Sequence, residues 1–437
     1  MRKIYGAGLW AAAALLLGQV GCSYDTTDTE VGVSSSENAL SSNTGVMLQG
    51  FIWGTTGGWW NTVSATATTM KSGGFTMVWL PPPSAANDSH GYLPTQWNSF
   101  SSGYGNQGEM QAAITALHNQ GIKAIADVVV NHRNGTSNWA DFSNPSFADN
   151  NKAVVNGDEY YYGGNPGASV PTGSRGGGDS GEAYGAARDL DHNNASVQSG
   201  VKSYLSTLKS VGFDGWRYDF VKGYGGNFVQ AYNSASAPVF SVGEYWPTQG
   251  FDQNNPGAWR SLINNWINAT GSSSAAFDFV TKPLLNAAIT THNFALLSNN
   301  GVPAGMIGIN PANSVTFLDN HDTGYTPQGQ GQWPFDGASV EQGYAYILTH
   351  PGVPCVFWPH FFDWGTPLQT SIKNMIALRK SQGISSTSSV VINAANTSVY
   401  AATINGNTAM KIGPGAWSPT GTWTLALSGT NFAIWKK

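Results

Sequence analysis

Gly212-Phe213-Asp214-Gly215-Trp216-Arg217-Tyr218-Asp219-Phe220 is an apolar run that ends in charge. Phe213–Asp219 reads as a strand, with Asp219 at its C-terminal end. The same design recurs on either side, in strand candidates Val46–Ile52, Phe75–Leu80, Lys123–Val130, Val239–Gly243, Ala276–Phe279, Ser314–Leu318 and Val353–Phe357. Several are continuously apolar, as strands of a parallel sheet covered on both faces should be. Helical periods lie between them. Met110, Ile114 and Leu117 share one face ahead of a stop at Gly121, and Val197, Val201, Leu205 and Leu208 form another. Val340, Tyr344, Ile347 and Leu348 make a third, and Ile372, Met375 and Ile376 follow the last strand. Eight strand-then-helix units predict an α/β fold, a (β/α)8 TIM barrel, with function at the C-terminal ends of the strands. A doubly wound open sheet is the structural rival, but no glycine-rich phosphate loop follows the first strand.

Two regions break the alternation. Residues 134–188 are rich in Asn, Gly, Tyr and Ser without a helical period, too long for a bare loop, and read as a small inserted domain. From about residue 384 the pattern turns to short strands. Val399–Ile404, Asn405-Gly406 and Thr408–Ile412 make a strong hairpin signal, and Thr422–Leu427 and Asn431–Trp435 complete an antiparallel C-terminal β domain. The expected division is a barrel at 45–133 and 189–380, an insertion at 134–188 and a β domain at 381–437.

The 437 residues carry 20 Lys+Arg against 25 Asp+Glu, a formal charge of −5. That balance gives no clustered basic surface and so no support for nucleic-acid binding. Only 10% of residues are charged, against about 25% in typical soluble domains. With 54 Gly, 17 Trp and 17 Tyr, the composition suits neutral polyhydroxyl ligands; a glycine-rich exported protein with many loops is the plainer reading.

Arg2 and Lys3 precede an apolar stretch centred on Leu9–Leu17, so residues 1–22 read as an export signal, too short for a spanning helix. No later segment has the ~18 consecutive apolar residues a transmembrane span needs. Gln19-Val20-Gly21-Cys22-Ser23 resembles a bacterial lipoprotein cleavage box, with Gln19 where Leu is usual. Two outcomes stay open: a lipid anchor at Cys22 on the bacterial cell surface, or cleavage nearby and free secretion. Residues 23–44 read as a flexible tether. Cys355, inside an apolar strand, is expected to be a buried free thiol rather than Cys22's disulfide partner or a nucleophile.

What stands just past the strands carries the chemistry. Asp219 ends the fourth strand, Glu244 follows the fifth, and Asp322 follows the seventh, in Phe317-Leu318-Asp319-Asn320-His321-Asp322. Each alone is an ordinary polar cap; together they bring three carboxylates to one rim. Retaining glycoside hydrolysis needs two carboxyls about 5–5.5 Å apart, one as nucleophile and one as acid/base. Arg217 is expected to keep Asp219 ionised, while burial and neighbouring carboxylates hold the acid protonated. His132 and His321 suit hydrogen bonds to sugar hydroxyls. A metal-hydrolase reading of the histidines and aspartates lacks paired-histidine spacing.

The segments Asp127–His132, Gly212–Asp219, Gly243–Trp246 and Phe317–Asp322 resemble the four signature regions of the α-amylase family, glycoside hydrolase family thirteen. The similarity extends to Val78–Pro83, Gly91–Pro94, Gly343–Gly352 and His360–Gly365, and spans roughly residues 46–437. It is nearest to plant α-amylases and, at greater distance, to bacterial maltotetraose-forming amylases. The resemblance implies endo-hydrolysis of 1,4-α-glucosidic bonds in starch, glycogen and maltooligosaccharides, with retention of configuration, by a monomer. Asp219 would be the nucleophile, Glu244 the acid/base, and Asp322 the stabiliser of the distorted sugar. Arg217 would orient Asp219, Tyr92 would stack on the sugar, and His132 and His321 would contact it. Lys222 and Trp246 would lie on the leaving-group side. Tyr218 replaces the Leu of the plant pattern, which implies altered packing.

The resemblance also implies a structural calcium between barrel and insertion, held by Asn131, Asp179, Glu182, Asp189 and the Gly223 carbonyl, oxygen donors suited to a hard cation. Ala183 stands where the plant pattern has Asp, which speaks against further calcium sites. An exo-acting, maltooligosaccharide-forming enzyme remains the second reading. A catalytically dead glucan-binding protein is opposed by the intact Asp219, Glu244 and Asp322. Trp59, Trp60, Trp139 and Trp417 are candidate sugar platforms, although packing is the commoner role for such tryptophans.

Overall fold

All eight expected strands form: β1 (Met47–Gln49), β2 (Met77–Leu80), β3 (Lys123–Val128), β4 (Gly215–Tyr218), β5 (Ser241–Gly243), β6 (Ala275–Phe277), β7 (Ser314–Phe317) and β8 (Val353–Phe357). The computed structural model describes residues 43–136, 140–158, 175–325 and 331–437. In it the strands close into one parallel barrel, each beside its sequence neighbours and β8 beside β1. The strands are shorter than the apolar runs because Asp219 and Leu318 already belong to rim loops. A helix follows every strand: α1 (Trp59–Gly73), α2 (Gln107–Asn119), α3 (Ala195–Ser210), α4 (Gly226–Ser236), α5 (Gly257–Ala269), α6 (Thr281–Thr290), α7 (Val340–Thr349) and α8 (Thr366–Ser381).

The helices sit where their apolar stripes require. In α2 the predicted face, Met110, Ile114 and Leu117, is buried. Its start is fixed by a capping box in which Asn106 accepts from the Glu109 amide and Glu109 reaches back to the Asn106 amide. Gly121, just past its end, has φ 68°, a conformation that favours glycine. The predicted faces of α3, α7 and α8 are buried in the same way. Each fully buried Leu or Ile contributes at most about 1.5–3 kcal/mol.

After β3 the chain leaves the barrel. His132–Arg133 pairs antiparallel with Arg188–Asp189 on its return, and Val154 bridges Leu190. Buried Arg133 ties this excursion down, donating to the carbonyls of Thr95, Ser143 and Pro145 beneath the rings of Trp97 and Phe142.

The C-terminal residues form a five-stranded antiparallel sheet of β9 (Val390–Ala395), β10 (Tyr400–Ile404), β11 (Thr408–Ile412), β12 (Thr424–Gly429) and β13 (Phe432–Lys436), in the order β9-β10-β11-β13-β12. Asn405 and Gly406 both have positive φ, 51° and 71°, as a two-residue hairpin turn requires. The sheet docks on α7: the Tyr400 ring packs tilted against Tyr346, centroids 5.3 Å apart, and its hydroxyl lies 2.9 Å from His350 Nε2. Its buried residues continue the barrel's apolar core. Cys355 is a buried free thiol. The expected export segment 1–22 with Cys22, nearly all of the 23–44 tether, and Trp139 lie outside the described residues. Among the described residues no helix is long and apolar enough to cross a membrane.

Candidate active site

Register explains how the acids meet. Asp127 on β3 pairs with Arg217 on β4, so both point to the same side. Arg217 pairs in turn with Val242 on β5. Asp219 and Glu244 each stand two residues further on, at one level on neighbouring strand ends.

Arg217 joins them. Its Nη1 donates to Asp127 Oδ1 and to Asp219 Oδ1, both at 2.8 Å. Its Nη2 lies 2.8 Å from Glu244 Oε1, an ion contact without hydrogen-bond alignment. The guanidinium is fully buried and rests 4.7 Å from the Trp79 ring centroid. The next residue, Phe220, takes a left-handed conformation (φ 42°, ψ 48°), and its amide donates to Glu244 Oε2 at 3.2 Å. A non-glycine residue held there costs about 1–2 kcal/mol. The turn nonetheless brings the amide to the Glu244 carboxylate, which ties the two strand ends together.

Asp322 accepts from Trp53 Nε1 at 3.1 Å and lies 3.3 Å from His321 Nε2. The loop beneath it is fixed by Asn320, whose side-chain oxygen accepts from the amides of Asp322 and Thr323. Tyr92 packs parallel to His321, its hydroxyl 2.9 Å from His321 Nε2 and donating to Asp127 Oδ2 at 2.8 Å.

Burial dominates the electrostatics. It raises Asp127 to about 6 against the pull of Arg217. It pushes Asp219 well above the usual carboxylate range; Arg217 pulls it down, while Glu244 and Asp127 push it further up. Asp322 is raised by burial in the same way. Arg217 acts on Asp219 in the expected direction, but its one guanidinium is shared among several buried carboxyls. Burial, then Arg217, drives His321 well below its ordinary value, so its imidazole is neutral near pH 7.

Asp219, Glu244, Asp322, Tyr92, Lys222, Trp246 and His321 line one cavity of about 500 Å³. Arg217 lies buried behind it. His132 departs from expectation. Its ring is stacked 3.7 Å from that of Tyr184, its Nε2 is 2.7 Å from the Tyr92 carbonyl, and it does not line the cavity. Burial lowers it to about 4. Tyr184 occupies the wall instead, together with Trp53, Phe220, Thr248 and Gln332, none of which the sequence reading assigned to the site. Asp127 was also missed, although a carboxylate inside the apolar run Ala124–Val130 was a visible signal.

The expected calcium ligands divide into two groups. Asn131 Oδ1 is buried without a hydrogen-bond partner, and a methyl group on Gly223 would stand 2.1 Å from it. Asp189 is fully buried and pairs with His132, next to Asn131, its amide 3.4 Å from the buried Asp158 carboxylate. This crowding of oxygen donors fits a hard cation. Asp179 is half-buried and accepts from the Gly181 amide at 3.0 Å. The Glu182 carboxylate is engaged elsewhere, by the Thr248 hydroxyl and by Lys222 Nζ at 3.4 Å, because those groups meet it at the cleft wall. Among the described residues no three His, Cys, Asp or Glu side chains form a metal cluster. Asn131 and Gly223 offer amide and carbonyl oxygens in place of such side chains.

A closed parallel barrel with carboxyls converging at its C-terminal rim defines a (β/α)8-barrel glycoside hydrolase. Residues 45–258 match the alpha amylase catalytic domain, and residues 381–436 match the alpha-amylase C-terminal beta-sheet domain. Probable alpha-amylase 2 of Arabidopsis thaliana is 38% identical over 409 residues, covering 90% of this chain and 94% of that protein. Glucan 1,4-alpha-maltotetraohydrolase of Stutzerimonas stutzeri is 29% identical over 387 residues, covering 79% of this chain and 63% of that protein. The fold is shared with an alpha-amylase from Malbranchea cinnamomea, with TM-score 0.63, 16% identity, and 86% and 85% of the two chains covered. The chain belongs to the alpha-amylase family.

Proposed function

We propose that the chain is an α-amylase that cleaves internal α-1,4 bonds of starch-like glucans with retention of configuration. The observation that carries this is the sharing of Arg217 by Asp219 and Glu244 at the wall of one cavity. Two carboxyls on one guanidinium fork suit the closer spacing of retaining enzymes rather than the wider gap that admits a water.

An Asp219 carboxylate oxygen attacks the anomeric carbon as its bond to the glycosidic oxygen breaks, and Glu244 gives that oxygen its proton. Glu244, now a carboxylate, takes a proton from water; the water oxygen attacks the anomeric carbon and Asp219 leaves. A group of buried carboxyls around one guanidinium titrates as a set, which suits a site that must hold a proton on one acid and a charge on another. Asp322 and neutral His321 hold sugar hydroxyls, and Tyr92 offers its ring. Because Glu244 serves the leaving group, Lys222, Thr248 and Trp246 on its side receive the departing chain.

Asn131, Asp189, Asp179 and the Gly223 carbonyl would hold a structural calcium, whose charge would tie the returning strand Arg188–Asp189 to the barrel. Residues 1–22 direct export, to the medium or to a lipid anchor at Cys22. Exo action is the second reading, favoured by the similarity to a maltotetraohydrolase.

Asp219→Asn and Glu244→Gln are each expected to lower kcat on soluble starch by at least ~10³-fold. Activity near that of the unmodified protein in either variant overturns the assignment. A single oligosaccharide dominating from the first minute of digestion overturns endo action.

A further inference from the structure

We propose that Glu182, from the excursion after β3, and Thr248, from the loop after β5, are positioning residues that hold Lys222 ready for the leaving half of the substrate. The proposal rests on the reading of the cavity as a glucan cleft.

Lys222 and Thr248 line that cavity, and Glu182 meets both at its wall. Lys222 Nζ donates to Thr248 Oγ1, and the Thr248 hydroxyl donates to Glu182 Oε2. Nζ stands 3.4 Å from that same carboxylate oxygen, so the three groups close a small ring. Nζ also lies 5.1 Å from the ring centroid of Phe220, another residue of the cavity wall.

Backbone contacts anchor the arm that carries Glu182. Its amide donates to the Lys222 carbonyl at 2.8 Å, and a methyl group on Gly181 would collide with that same carbonyl oxygen. The turn therefore lies directly on Val221–Gly223, a close approach that only glycine allows at position 181. Glu182 is thus held beside Lys222 by main chain before the side chains meet.

A lysine stem has many rotamers, and fixing one of them costs entropy. Where the folded protein has already fixed it, that cost does not fall on substrate binding. An ammonium carries three N–H bonds. One goes to Thr248 and a second faces Glu182, which leaves the third to donate to a sugar hydroxyl. The carboxylate also balances the charge, so an uncharged glucan meets one directed donor in place of a mobile cation. Holding a contact group in the right geometry is what a positioning residue supplies to the rate. The Glu182 side chain is 41% exposed, and an ion pair that open adds little to stability. The bridge therefore serves the cleft more than the fold.

The test compares two leaving groups on the full chain. An aryl α-maltotrioside that releases its phenol needs no sugar on the Lys222 side, whereas maltoheptaose does. Glu182→Ala is expected to lower kcat/KM at least ~5-fold more for maltoheptaose than for the aryl substrate. Its melting temperature should stay within about 2 °C of the unmodified protein. Equal changes on both substrates, or no change on either, overturn the proposal. Should a fallen melting temperature show that Glu182→Ala disturbs its turn, Thr248→Val decides, because it removes the relaying hydroxyl from the opposite side. The same split then supports the bridge and its absence overturns it. Acetylation of Lys222 by acetic anhydride, read by mass spectrometry, follows the bridge without catalysis. It should quicken several-fold in Glu182→Ala, and an unchanged rate overturns the proposal. Failure of the unmodified protein to cleave either substrate would refute the hydrolase reading instead, and acetylation would still report on the bridge.

Discussion

Replacing Arg217 with Met tests how the rim manages its charge. The side chain is fully buried, and its guanidinium meets Asp127, Asp219 and Glu244 at 2.8 Å each. Methionine keeps much of the volume and removes the positive charge. Burial is the largest influence on Asp127, Asp219 and Asp322 and raises each, while Arg217 pulls each down. Without Arg217 all three rise further. The sign follows from linkage. A carboxyl raised above its unfolded value of about 3.9 supports the fold below that pH and loses that support as pH climbs through the folded value. For Asp127, raised to about 6, that loss falls mainly between pH 4 and neutrality and is on the order of 2 kcal/mol.

Arg217→Met should therefore be nearly as stable as the unmodified protein near pH 4, where the acids are protonated and need no counter-charge. By pH 8 the gap should widen to about 3–5 kcal/mol, the usual penalty for buried charge stripped of its partner. That is a large share of the 5–15 kcal/mol that holds a typical fold, so unfolding by urea measured from pH 4 to 8.5 resolves it. The acid limb of the activity profile should also move to higher pH. A stability gap that is constant across the range, or that narrows as pH rises, refutes the shared-guanidinium argument.

The remaining predictions concern neighbouring groups. Chelation by EGTA should lower the melting temperature by about 3 °C, as expected for a chain of this length and a ligand at ~100-fold above its dissociation constant. Asn131→Leu should abolish that response, and an unchanged melting temperature on chelation rejects the calcium. Tyr92→Phe removes a hydroxyl shared by Asp127 and His321; kcat should fall about tenfold with KM held within a factor of two. Unchanged kcat and KM would make Tyr92 a sugar platform only, because phenylalanine keeps the ring.

The barrel was legible because its strands repeat a signal that needs no long-range knowledge: apolar runs of strand length, each followed by a helical stripe. The strand-end acids were legible for the same reason, since parallel strands deliver whatever follows them to one rim. Periodicity is silent about non-periodic loops. Tyr184 and Gln332 enter the cavity from loops with no local signal of where they fold, whereas Trp53 directly follows the first strand run and was open to the same rule as the acids. The first C-terminal strand, Val390–Ala395, was hard to place because it is an edge strand with its alternation blurred by a bulge and Val391 left 60% exposed.

His132 and Asp127 show the limit most sharply. Both stand in one signature segment, and the histidine, being polar and close to a strand end, drew the functional reading. In the structure Tyr184 and the Tyr92 carbonyl occupy His132, whereas Asp127 receives Arg217, Tyr92 and Trp79. A carboxylate within an apolar strand is costly to bury, so its presence implies a buried cation and donors to meet it. Arg217, whose own strand is equally apolar, implies the converse. The pair was therefore inferable from two unfavourable residues on adjacent strands, each of which makes physical sense only with the other.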